Sequence, residues 1–104
     1  MTAPTIPIDP YLIDTLMPDL VGHDRQPSAF LVYLHLWAVE AAQGGGPVAA
    51  SLQTLADGTG LSKRAVQTAL AGLERRRLVL IEKTRPTDVA TFTVQRPWTR
   101  RARP

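Results

Sequence analysis

Apolar and polar side chains follow a helical period over residues 28–42. The residues four, seven and eleven positions after Phe30 are all apolar, which predicts one continuous apolar stripe along a helix. A second stripe on another side of the same helix contains Val32, Leu36 and Val39. A helix that is apolar on two sides needs two partners, so we expect the second stripe to form the interface of a homodimer.

Two shorter helices are predicted after a glycine-rich break. Ser51 and Ser62 are residue types that cap helix N-termini, and the helices after them are predicted to run to about Gly58 and about Arg76. Gly60 lies between these helices and tolerates the positive φ that a tight turn requires. The order of helix, tight turn and helix is typical of a helix-turn-helix.

The two ends of the chain carry different patterns. Residues 78–83 and 90–95 alternate apolar and polar side chains, which predicts two strands joined as a hairpin. Residues 1–8 predict an extended arm, and residues 10–17 a short helix that Pro18 ends and a loop follows.

These elements together predict an α+β fold with a three-helix core and a small β-sheet. The sheet has two strands, or three if Val48–Ala50 is also extended. The predicted organisation is an arm with a short helix over residues 1–26, which we expect to take part in dimerisation, one domain over residues 27–96 and a basic tail over residues 97–104. A chain of 104 residues is long enough for one such domain but not for two.

Charge is divided unevenly along the chain. The formal net charge is +3, but residues 1–60 hold one basic and six acidic side chains, whereas residues 61–104 hold eleven basic and three acidic ones. Such a basic segment predicts an anionic partner, either nucleic acid or a membrane surface. No apolar run approaches 18 residues, so we expect no membrane span, and the rest of the sequence must decide between the two kinds of anionic partner.

The residue types that support catalysis or metal binding are sparse. The chain has no cysteine and only two histidines, His23 and His35, so we expect no metal site and no cofactor. Neither glycine-rich segment ends in the Gly-Lys-Ser/Thr of a phosphate loop. We therefore expect a protein that is not an enzyme and, since no export signal is evident, one that is cytoplasmic.

The helix after Ser62 has two contrasting faces. Val66, Leu70 and Leu73 are spaced to anchor one face to a core. The opposite face carries side chains that suit phosphates and base edges, namely Lys63, Arg64, Gln67, Thr68 and Ala71.

Residues 51–79, SLQTLADGTGLSKRAVQTALAGLERRRLV, resemble the helix-turn-helix core of bacterial winged-helix DNA-binding proteins. GntR-type and MarR-type regulators and plasmid or phage replication initiators share this pattern, and the predicted hairpin occupies the place of their wing. The resemblance covers about residues 28–96. Arg77 departs from it, because many of these proteins have a helix-ending glycine at that position.

The resemblance implies a winged helix-turn-helix that binds double-stranded DNA in a sequence-specific manner and regulates transcription. It implies that the helix over residues 62–76 enters the major groove and that residues 83–88 of the wing lie on the backbone or in the minor groove. The implied DNA-contacting residues are Ser51, Ser62, Lys63, Arg64, Gln67, Thr68, Lys83, Arg85 and Thr87.

Several alternatives stay open. A winged helix also serves as a module for protein association, or as the DNA-binding part of a replication initiator. The arginines at 75–77 are interpreted as side chains that stabilise a helix C-terminus, although a phosphate clamp is the alternative. The arginines at 100, 101 and 103 belong either to a tail that binds DNA or to a solvated terminus.

Overall fold

The computed structural model describes residues 4–85 and 89–102. Its α-helices are α1 (Pro27–Ala42), α2 (Leu52–Thr59) and α3 (Lys63–Arg75). Its strands are β1 (Val48–Ala49), β2 (Val79–Glu82) and β3 (Thr91–Val94). Two short π-helical segments, Leu12–Leu16 and Pro18–His23, precede α1, and a 3₁₀ helix, Pro97–Ala102, follows β3.

The three strands form one antiparallel sheet in the order β1-β3-β2. Val79 lies opposite Val94, and Ile81 opposite Phe92, so the apolar side chains of the two longer strands share one face as predicted. β1 adds the third strand, with Val48 opposite Phe92. We call β2, β3 and the residues between them the wing.

Helices α2 and α3 begin at the predicted serine caps. The Ser51 hydroxyl accepts a hydrogen bond from the Thr54 backbone N–H at 3.1 Å, and the Ser62 hydroxyl accepts one from Ala65 at 3.0 Å. The turn between the helices contains Gly60 at a φ of 81°, the left-handed conformation that the sequence predicted for it.

Helix α1 is the centre of the core and contacts α2, α3, β3 and the Pro18–His23 segment. Val32 and Leu36 are fully buried within the chain, and Val39 is half-buried against the same cluster. The predicted dimer interface is therefore wrong at Val32 and Leu36, whereas Val39 keeps part of its surface exposed and the homodimer itself stays a prediction. The two buried side chains are already covered by this chain and are not available to a second copy.

The chain's own N-terminal segments pack into this core. Leu12, Leu16 and Leu20 are buried and belong to the same cluster as α1. The prediction that the helix ends at Pro18 is also wrong, because helical backbone continues to His23. Pro18 is the first residue of the second π-helical segment, and Met17 before it also has helical φ and ψ, so the backbone stays helical across the proline although Pro18 has no N–H to donate.

Helix α3 ends as it would with a glycine, although the residue is Arg77. Arg77 has a φ of 59°. Its N–H donates to the Glu74 carbonyl at 3.0 Å, and the Leu78 N–H donates to the Leu73 carbonyl at 2.9 Å. These two bonds form a Schellman motif, with Arg77 in the left-handed conformation that glycine most often supplies.

Gly58 lets α2 lie close to α1. A β-carbon at this position would come within 2.5 Å of His35 Cε1, a separation that real β-carbons do not reach. His35 is half-buried, and its ring fills the space beside Gly58. Ala56, another small residue of α2, is buried.

The two ends of the described chain meet in a contact that we call the aromatic clasp, formed by Asp9, Tyr11 and Trp98. The rings of Tyr11 and Trp98 stack with centroids 4.4 Å apart. Trp98 Nε1 donates to an Asp9 carboxylate oxygen at 3.0 Å, and the Tyr11 backbone N–H donates to the other oxygen at 2.9 Å. These bonds, the backbone one foremost, lower the pKa of Asp9.

The architecture is therefore α+β and has the order of a winged helix-turn-helix, with α1 to α3 as the helical core and a three-stranded sheet behind them. In the part of the chain that the structure describes, no helix has the length and hydropathy to cross a membrane.

Candidate nucleic-acid interface

Helix α3 presents a polar face to solvent and an apolar face to the core. Val66, Leu70 and Leu73 are buried, which confirms the predicted anchor. The opposite side carries exposed side chains at Lys63, Arg64, Gln67 and Thr68. The helix thus offers two cations, an amide and a hydroxyl within its first two turns.

The wing supplies a second group of exposed side chains. Lys83 directly follows β2, and Arg85 lies two residues further along, both exposed. Thr87, also predicted to contact DNA, lies outside the described residues.

Three of the predicted site residues line one groove between α3 and the wing, with a volume of about 540 Å³. Ser51 at the start of α2, Lys63 at the start of α3 and Lys83 on the wing are these residues. Arg64, Gln67, Thr68 and Arg85 are not among the lining residues, so they belong to the surfaces beside it. We call this feature the α3–wing groove, and its remaining lining residues are Ala50, Leu52, Gln53, Leu70, Ile81, Val89, Ala90 and Phe92.

Two arginines of the basic C-terminal part are neutralised by acidic residues of the N-terminal part. Arg76 bonds to Asp19 and Asp24, each at 2.7 Å. Arg96 bonds to Glu40 at 2.7 Å, and its guanidinium lies 4.2 Å from the centre of the Trp37 ring.

These ion pairs distinguish structural arginines from exposed ones. The guanidinium of Arg76 lowers the pKa of Asp24 by donating two hydrogen bonds to its carboxylate, and His23 adds a smaller effect. The side chain of Arg76 is therefore paired within the chain, which argues against a phosphate clamp at this residue. Counting charges along the sequence does not reveal that Arg76 pairs with Asp19 and Asp24, because these partners are more than fifty positions away from it.

Among the described residues, four basic side chains of α3 and the wing are not paired in the way that Arg76 and Arg96 are. They are Lys63, Arg64, Lys83 and Arg85. Within residues 4–85 and 89–102, none of the four takes part in an ion pair. Their charges are consequently directed to solvent and to whatever anion approaches α3 and the wing.

One group among the described residues brings possible metal ligands together, namely Asp19, His23 and Asp24, whose ligand atoms lie within 4.8 Å of one another. Both carboxylates are bonded to Arg76. The guanidinium already supplies the positive charge that a metal ion would bring to this group.

A family model described as a helix-turn-helix domain matches residues 26–79, about half of the chain. The chain belongs to this helix-turn-helix family. The matched range contains α1, α2 and α3 and ends where β2 begins. No curated protein and no solved structure matches the chain.

The helix-turn-helix assignment identifies α3 as the second helix of the motif. In this motif α2 and α3 are the paired helices, and Gly60 is the turn between them. Membership of the family supports DNA binding in general.

Proposed function

We propose that this helix-turn-helix protein binds double-stranded DNA in a sequence-specific manner and regulates transcription, with α3 in the major groove and the wing on the backbone or in the minor groove. The observation that carries the proposal is the location of the unneutralised charge. Lys63, Arg64, Lys83 and Arg85 are exposed on α3 and the wing, whereas Arg76 and Arg96 are held by carboxylates.

Helix α3 has the side chains for reading bases. Arginine pairs well with guanine, and glutamine with adenine, through two hydrogen bonds each in the major groove. Arg64 and Gln67 are three positions apart and therefore lie on the same side of the helix, with Thr68 beside them. Lys63, at the first position of α3, suits a phosphate on the rim of the groove.

The wing and the α2 N-terminus suit the DNA backbone. Lys83 and Arg85 extend from the end of β2 and favour phosphates or a narrow minor groove. The exposed Ser51 and Ser62 lie at helix N-termini, where backbone N–H groups favour anions.

The proposal includes no catalytic step and no cofactor, and it does not depend on a dimer through α1. A homodimer would need another surface, and exposed aliphatic side chains at Ile6, Ile8 and Ile13 in the N-terminal part offer one. Sedimentation equilibrium tests this: a single species with twice the 11.4 kDa chain mass is the expected result, and a monomer at high concentration contradicts the dimer.

Fluorescence anisotropy on labelled random duplex DNA tests DNA binding. We expect affinity to fall steeply with salt, with a log–log slope of about −0.9 for each phosphate contacted. Selection from a random duplex library should then enrich a defined site. A palindromic site supports a regulator of promoters, whereas an iterated array favours the replication-initiator alternative. Absence of binding at low salt would overturn the proposal and favour a protein-association module.

A further inference from the structure

The α3–wing groove combines an apolar floor with a cationic rim. Leu70 and Phe92 form buried parts of the floor, and Ile81 is half-buried there. Val89 lies at the same groove with 56% of its surface exposed, which makes it the most exposed large aliphatic side chain among the described residues. The floor therefore keeps apolar surface in contact with water, at a cost in free energy that an apolar ligand would remove.

The rim of the groove is positively charged. Lys63 and Lys83 line it from α3 and from the wing, and neither is paired with a described acidic residue. The N-terminus of α2, at Ser51 and Gln53, adds the positive end of a helix dipole. The charged groups thus favour an anion directly above an apolar floor.

Neither a bare inorganic anion nor a DNA backbone satisfies both halves of this groove. A phosphate or sulfate ion would neutralise the lysines but would leave Ile81 and Val89 in water. A DNA strand that crosses the rim would likewise contact the lysines from outside. The volume of about 540 Å³ is in the range of small-molecule sites.

We propose that the α3–wing groove binds a small amphipathic organic anion, such as an aromatic carboxylate, with its ring on Ile81 and Val89 and its carboxylate between Lys63 and Lys83. Because both lysines are also proposed DNA contacts, the bound anion competes with duplex DNA. This second part rests on the proposed function, whereas the ligand site itself does not.

Direct binding is tested with 2-naphthoate and the full chain, followed by the backbone amide shifts in ¹H–¹⁵N NMR spectra. We expect saturable shifts at residues that line the groove, including Gln53 and Ala90. Acetate carries the charge without the rings, and 2-naphthalenemethanol carries the rings without the charge. Each should bind at least about tenfold more weakly, since each loses one of the two contributions.

Val89→Asp is the informative variant, because it places a negative charge at the groove on an exposed side chain. It should weaken naphthoate binding by about tenfold through repulsion of the carboxylate. Leu80→Asp is the matched control: Leu80 is 42% exposed and is not among the residues of the groove. Lys83→Gln provides a second test that removes a charge without adding one, and it should also weaken binding.

Two results would overturn the ligand site. One is equal affinity for acetate and naphthoate, which indicates simple ion binding by lysines. The other is an equal effect of Val89→Asp and Leu80→Asp.

Competition with DNA is measured separately by anisotropy. Naphthoate should raise the apparent Kd for duplex DNA in the wild type and in Leu80→Asp, and raise it much less in Val89→Asp. Naphthoate binding in the groove of a chain that binds no DNA would support the ligand site and reject the proposed function. Simultaneous binding of naphthoate and DNA without mutual effect would overturn the competition.

Discussion

At the scale of single residues, Arg77 has the most constrained backbone around α3. It is one of two non-glycine residues with positive φ in the described chain, the other being Arg25. A β-carbon in the left-handed region costs about 1–2 kcal/mol. The chain accepts this cost at Arg77 because the Schellman bonds and the burial of Leu78 fix the exit from α3.

Arg77→Gly is expected to stabilise the fold. Removing the β-carbon relieves the left-handed strain, while the greater freedom of glycine in the unfolded chain offsets part of the gain. We expect the free energy of unfolding to rise by about 0.5–1 kcal/mol, measured by urea denaturation with an unchanged m-value. Arg77→Ala keeps the β-carbon and should change stability little. A loss of stability in Arg77→Gly would show that the arginine side chain itself holds the turn.

Arg64 and Gln67 are expected to determine sequence preference. Arg64→Ala and Gln67→Ala should each relax selectivity at one base pair of the selected site by about 1–3 kcal/mol. Arg85→Ala should instead weaken all duplexes to a similar degree, because a phosphate contact carries no sequence information. Selection and anisotropy with these variants test the distinction. Arg75→Ala, exposed at the far end of α3, is the control. Uniform weakening by all variants would contradict the placement of α3.

At the scale of elements, the regular helices and strands were predictable, and the N-terminal helix was predicted as far as Met17 but not its continuation to His23. Ser51, Ser62 and Gly60 act through local backbone geometry, so their residue types suffice to locate α2, the turn and α3. The two apolar stripes of α1 were recognised, but their partners were not. A stripe shows that a face is buried and does not show by what, and here α1 is covered by α2, α3, β3 and the Pro18–His23 segment of the same chain.

Part of the candidate site was likewise predictable from the sequence and part was not. The exposed face of α3 was predictable, since helical periodicity determines which side chains point away from the core. The α3–wing groove was not, because it depends on the distance between elements that are far apart in the sequence. The roles of Arg76 and Arg96 were also inaccessible, since their partners are set by tertiary packing.

The contact between Arg76 and the segment before α1 should make stability depend on acid pH. The pKa of Asp24 is lowered in the folded state by Arg76, so its ionised form favours folding. This contribution is complete above the usual aspartate pKa of about 3.9 and is lost as the pH falls through the lower folded value. Asp24→Asn should therefore lose less stability between pH 5 and pH 2 than the wild type does.

Arg76→Gln tests the same contact from the other side. We expect it to lower the free energy of unfolding at pH 7 by about 1 kcal/mol, since the pair is partly exposed, and to have little effect at pH 2. Arg75→Gln, one residue earlier and exposed, is the matched control. Thermal unfolding of the three proteins across this pH range measures the difference. Parallel pH profiles for wild type and Arg76→Gln would contradict the assignment.

At the scale of the whole molecule, the net charge of +3 does not describe the charge of the surface that would contact DNA. Part of the basic C-terminal charge is neutralised internally by Asp19, Asp24 and Glu40. The positive charge that stays exposed is concentrated on α3 and the wing. Most of the exposed basic side chains therefore lie on or next to α3 and the wing, and Arg25 before α1 is an exception.

The salt dependence of DNA binding should follow this division of charge. Lys63→Gln removes one proposed phosphate contact and should reduce the magnitude of the log–log slope by about 0.9. Arg96→Gln removes the same formal charge from a side chain that Glu40 already holds, and it should leave the slope nearly unchanged. Anisotropy titrations over a range of salt concentrations compare the two. An equal change in slope would show that net charge, and not its location, governs binding.

The aromatic clasp also bears on the order in which the molecule assembles. Asp9 and Trp98 are 89 positions apart, so their hydrogen bond closes a loop that contains α1, α2, α3 and the wing. Closing a flexible loop of that length costs about 4 kcal/mol of chain entropy unless the intervening chain is already ordered. We therefore expect the clasp to close last during folding and to open first. Hydrogen exchange at the Tyr11 amide should then proceed by local opening, faster than exchange at Leu55 within the core.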